Sequence, residues 1–139
     1  RMRSGYYETL AAIRDQMSIV AGAISEPGME GDDAVLVVEG SVANANSFQA
    51  TLASQRPPPG FEALNSATGA FLLDFIQVGR NYLLAVKKSD SSAAGLKTQI
   101  VERSRGFGAV LSTPVGAGLT TAEVNELRER ETRVDIALN

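Results

Sequence analysis

Histidine, cysteine and tryptophan are absent from this 139-residue chain. Without cysteine there is no structural disulfide and no thiolate metal site, and the redox compartment is left open. Without histidine the commonest general base and the commonest metal ligand are missing. A catalytic triad or a zinc site would need an unusual substitute, and acid–base chemistry would have to rest on carboxylates, tyrosine or lysine. The expectation is a protein that is not an enzyme and takes no cofactor and no metal. No apolar run is long enough to cross a bilayer. Basic surplus is lacking too: the formal net charge is -3, which leaves no footprint for nucleic acid.

What remains is ordinary globular material. The chain is 44% hydrophobic and 21% charged, and its length suits one domain, residues 1–139, with a core that needs no staples. The chain opens at Arg1, not at a methionine, and reads as a fragment of something longer or as a processed protein, with any membrane anchor lying before Arg1.

The stretch from Phe61 to Lys88 organises the rest. Phe61, Leu64, Thr68, Phe71, Phe75, Val78, Tyr82 and Ala85 recur at alternating steps of three and four, the rhythm of one helix face. Leu72, Ile76, Leu83 and Val86 widen that stripe enough to pack on two neighbours. Pro57-Pro58-Pro59-Gly60 stops any helix arriving from the left. Lys87 and Lys88 suit a carbonyl end, and Ser89-Asp90-Ser91-Ser92 can cap the next helix.

Three further helices are predicted. Tyr6, Leu10, Ile13, Met17, Val20 and Ile24 make a stripe from about Ser4 to Ser25, closed by Glu26-Pro27-Gly28. Ala34-Val35-Leu36-Val37-Val38 alone reads as a buried strand. The stripe Ala34, Val38, Val42, Ala45, Phe48 and Leu52 runs far past strand length, so a helix from about Asp32 to Gln55 is expected. Ala93, Leu96, Ile100, Phe107 and Leu111 define a fourth helix reaching about Ser112; Gly95, Gly106 and Gly108 weaken it, or let backbones approach closely. Thr120 with Glu123 matches a capping box and predicts a short, highly charged last helix. The expected fold is all-α, an antiparallel up-and-down four-helix bundle with a short additional C-terminal helix.

Function is only faintly written in these residues. Gly116-Ala117-Gly118 before a helix start is a plain bend, since no strand precedes it and no Gly-Lys-Ser/Thr comes after it. Asp74 falls on the polar side of its helix and reads as solvated. Arg103 sits at the edge of the fourth helix's apolar arc, and is either a snorkelling side chain or an anion-binding group acting with Arg105 or Arg14. Leu73 and Leu84 project from the polar face of the central helix, and Leu36, with Ala43 and Ala50, does so on the second. A row of such side chains marks a partner or dimer surface, whereas single ones need no explanation.

Two stretches resemble known families. Glu102-Arg103-Ser104-Arg105-Gly106 resembles the arginine-containing helix of bacterial nitrate-sensing domains. The order of amphipathic helix, Arg56-Pro57-Pro58-Pro59-Gly60-Phe61-Glu62 and long amphipathic helix resembles bacterial extracytoplasmic helical domains of the lipoprotein and sensor-ectodomain type. That resemblance implies a periplasmic or cell-envelope location; a cytoplasmic one is the alternative. Those families often carry a histidine a few residues into this helix, where Leu64 and Asn65 stand here, so a metal or ligand role does not carry over. The leading expectation is a non-enzymatic bundle that binds a protein partner or itself. The alternative is an extracytoplasmic sensor or small-anion-binding domain.

Overall fold

Tyr6, Leu10, Ile13, Met17, Val20 and Ile24 are all buried along one side of α1, Met2–Ile24. This is the stripe expected from their spacing, and it faces a core shared with every other long helix. The structure, a computed structural model, describes residues 2–115. Gly116 to Gly118 and the expected helix after Thr120 lie outside the described residues.

The remaining elements are α2, Gly31–Ser54; α3, Glu62–Lys87; α4, Ala93–Arg105; and α5, Phe107–Leu111. α1 packs on α2 and α4, and α3 packs on the same two, so the long helices form a square with α1 diagonal to α3. Each neighbour runs antiparallel to the last, which is the up-and-down plan. α5 packs against α3, α1 and α4. Among the described residues there is no strand.

The valine-rich run of the second segment is helical, not extended. Ala34 and Val38 lie in the core and Leu36 points to solvent, as a 3.6-residue period requires and a period of two forbids. Asp32 and Asp33 occupy the first turn, where their charge favours the positive end of the helix.

Two expectations about the fourth segment are corrected. It is not one helix to Ser112: it breaks at Gly106, whose N–H donates to both Glu102 O (3.1 Å) and Arg103 O (3.0 Å). Past the break Phe107 stays in the core, 5.0 Å from the Phe71 ring, on the side that its spacing from Ile100 predicts. Nor do Gly95 and Gly108 admit a neighbouring backbone; no atom of another element lies within 4 Å of where their Cβ would be. The close approach occurs at Gly79 on α3, where an added Cβ would stand 2.5 Å from Val42 Cγ2 of α2.

The α3–α4 turn is also stricter than its polar composition suggests. Ser89 N–H donates to Val86 O (3.0 Å) and Asp90 N–H to Ala85 O (2.8 Å). This is the Schellman closure of α3, with Ser89 at φ 55° in a place that favours glycine. Asp90 then accepts the Ser92 N–H through Oδ1 at 2.8 Å. That backbone bond, followed by the Ser92 side chain, holds the Asp90 carboxyl below the usual range. Of the Ser89-Asp90-Ser91-Ser92 stretch expected to cap α4, Asp90 forms a turn on the Ser92 N–H, while Ser92, the N-cap residue of α4, makes no side-chain capping bond.

Candidate functional site

The three arginines singled out from the sequence do not converge. Arg103 reaches across to α3, where its Nε donates to Asp74 Oδ2 at 2.7 Å. Asp74 is thus partnered, not merely solvated, although both groups remain about half exposed at 40% and 54%. An exposed pair of this kind contributes roughly 0.2–1 kcal/mol. It also supplies Arg103 with the carboxylate that an anionic ligand would otherwise provide.

Arg14 and Arg105 face the opposite seam. Together they line a shallow hollow of about 300 Å³ between α1 and α4, floored by Met17, Ala21 and Ser104. Arg14 Nη1 donates to Ser18 Oγ at 2.5 Å along its own helix. Arg105 makes no hydrogen bond or ion pair among the described residues. Among the described residues no three carboxylates gather where a metal ion would need them.

The leucines divide differently. Leu73 and Leu84 are 62% and 50% exposed on the outer ridge of α3, eleven residues and hence three turns apart. Beside Leu84 a groove of about 540 Å³ runs along the α3–α4 seam, lined by Leu84, Ala85, Gly95, Leu96 and Gln99. The Asp74–Arg103 bridge lies farther along that same seam. Leu36 is exposed on α2, on another face, in line with exposed Ala43 and Ala50. Ile19 on α1 is as exposed as these and was not legible in the sequence, because one apolar residue on a polar face carries no periodic signal.

The sequence gives no direct sign of a second cavity. About 700 Å³ open at the end of the bundle where α1 finishes, α2 begins, α3 finishes and α4 begins. Tyr82 lines it, 4% exposed. Burial first, and the negative charge of Glu30 second, push its phenol above its ordinary pKa. Lys97 stands at the rim, its ammonium donating to the carbonyl oxygen of Met29. The nearest signal is the run Ala93-Ala94-Gly95, which puts almost no side-chain volume at the start of α4.

No protein-family model, curated protein or solved structure matches this chain. No described helix is long and apolar enough to cross a membrane.

Proposed function

We propose that this chain is a non-enzymatic helical bundle that docks a protein partner, or a second copy of itself, on its α3–α4 face. One observation carries the reading: Leu73 and Leu84 stand exposed on a single ridge, with an apolar groove alongside Leu84. A partner helix laid along the seam would set an apolar side chain between Leu84 and Leu96. Asn81, Lys88 and Asp90 would supply a polar rim. An extracytoplasmic location goes with this reading and rests on the resemblance of the Arg56 to Glu62 corner to bacterial envelope domains.

Light scattering after size exclusion, at several concentrations, tests it. The wild type is expected to gain mass with concentration or to retain a partner in a pull-down. Leu73→Asp combined with Leu84→Asp is expected to abolish either behaviour while leaving the helical signal intact. A strict monomer that retains nothing overturns the reading.

The anion-binding reading is favoured by one thing only, the shared hollow of Arg14 and Arg105, with Arg105 unengaged among the described residues. A thermal-shift screen of small anions tests it, because a true ligand raises the melting temperature by mass action. Arg105→Ala should cancel the rise. If no anion shifts the wild type, this second reading is lost.

A further inference from the structure

The hollow end of the bundle has an identifiable origin. Ala93 and Ala94 open α4, Ser25 lines the same space just past the end of α1, and α4 is thirteen residues long between helices of twenty-three and twenty-six. Too little side-chain volume meets there to fill the space. The walls are apolar where Ile24, Val86 and Val101 contribute. About 700 Å³ is within the usual size of a small-molecule site.

Tyr82 is the group that calls for an occupant. Its side chain is buried and lines the cavity, within electrostatic reach of Glu30 on the rim. Its hydroxyl makes no hydrogen bond among the described residues. Buried phenols ordinarily find a partner, and Tyr6 at the far end of the bundle does so, donating to Asn65 Oδ1 at 3.2 Å. A phenol is protonated at neutral pH, and the upward shift at Tyr82 only widens that margin, so its hydroxyl is available as a donor.

Further donors line the same cavity. Lys97 uses one N–H on Met29 O and has two to spare. That bond also pins the ammonium next to the loop that leads into α2. The first turn of α2 begins at Gly31, on the cavity wall, and no side chain caps its N–H groups. The hydroxyls of Ser25 and Thr98 are already spent on Ala21 O and Ala94 O of their own helices.

We propose that this cavity binds a small amphiphile with an apolar body and a carboxylate head, the carboxylate accepting from the Tyr82 hydroxyl and the Lys97 ammonium. Formal charge does not choose the ligand, because Lys97 and Arg105 are balanced by Glu30 and Glu102 on the same wall. The kind of donors does. A carboxylate offers two acceptor oxygens and can serve both groups at once. An ammonium head would be drawn to the glutamates yet would leave the Tyr82 proton unpartnered. An alcohol oxygen can accept from both but carries no charge, so its bond to the Lys97 ammonium is the weaker one. This site lies apart from the α3–α4 groove and does not rest on the docking proposed there.

Octanoate, 1-octanol and octylamine, one chain length with three heads, are the probes. Each is titrated into the full chain and followed by amide chemical shifts and calorimetry. Octanoate is expected to bind most tightly and to move the amides of Met29 to Gly31 and of Ala93 to Val101. Tyr82→Phe should weaken it roughly three- to tenfold, the worth of one hydrogen bond, with no loss of melting temperature because the hydroxyl has no partner to lose. Lys97→Met should weaken it by about tenfold or more. Octanol or octylamine binding as tightly as octanoate overturns the proposal. So does an unchanged affinity in Tyr82→Phe, a set of shifts centred on Leu84 and Leu96 instead, or no binding at all.

Discussion

At one end of the bundle Tyr6 and Tyr7 meet the Phe61 ring edge-on, at centroid distances of 5.5 and 5.6 Å. Farther in, Phe71 stacks on Phe75 at 6.4 Å and meets Phe107. At the other end the described residues offer one aromatic ring, Tyr82, facing alanines across a cavity. Both ends belong to the same four helices and obey the same periodicity. They differ in side-chain volume. Where large rings interdigitate, space is filled and polar tips are matched, as Tyr6 is by Asn65. Where α4 supplies Ala93 and Ala94, the helices still pack but a hydroxyl is left over. Dense packing serves stability; the underfilled end is the part with room for something else.

The sharpest way to break this comparison is to remove volume at the ring-packed end and add it at the cavity end. Phe61→Ala, at a fully buried site, should cost about 3–5 kcal/mol in chemical denaturation. Ala93→Leu, pointing into the cavity, should stay within about 1 kcal/mol of the wild type. Equal losses would mean that the two ends do not differ.

Not everything near the hollow end is loose. Gly79→Ala should cost about 1–3 kcal/mol despite the better helix propensity of alanine, because its Cβ would stand 2.5 Å from a methyl of stiff, buried Val42. A stabilised Gly79→Ala would show that α2 and α3 yield there. Conversely, Ser89→Gly should raise stability by about 1 kcal/mol, because glycine accepts the left-handed φ of 55° that closes α3. Thermal melts resolve both.

The tyrosines give the smallest and most discriminating contrast. Tyr6→Phe should lose about 1 kcal/mol with its bond to Asn65, whereas Tyr82→Phe should lose nothing measurable. Alkali extends the pair. Burial, and secondarily the charge of Tyr7, raises the Tyr6 pKa above its ordinary value of about 10. In the unfolded chain the phenol ionises first, so the folded state binds more protons there. Stability is therefore full below pH about 10 and falls as pH rises toward the folded-state value. The fall should be shallower in Tyr6→Phe, measured by denaturant midpoints between neutral and strongly alkaline pH.

Much of this architecture is legible in the sequence because it is written locally. The stripe from Phe61 to Ala85 names its own buried face, and the Pro57 to Gly60 corner names its own start. The valine run from Ala34 to Val38 is decided by the register of residues farther on. Gly106 as a break is harder to read, since a glycine weakens a helix without saying where it ends, and Phe107 keeps the stripe of Ile100 across it. The candidate sites are much less legible. Leu73 and Leu84 can be placed on one ridge from spacing alone, but Arg103 cannot be matched to Asp74. They lie twenty-nine residues apart on helices whose relative rotation no single segment specifies.

By itself, then, the order of residues determined four helices, their inward faces and the breaks between them, because periodicity and chain-stopping are properties of one segment at a time. Only the tertiary structure decided that Gly79 meets Val42, that Arg103 meets Asp74, and that Tyr82 lines a cavity with its hydroxyl unbonded among the described residues. Each of these depends on what stands across a seam, and volume, distance and the lack of a hydrogen-bond partner exist only between segments.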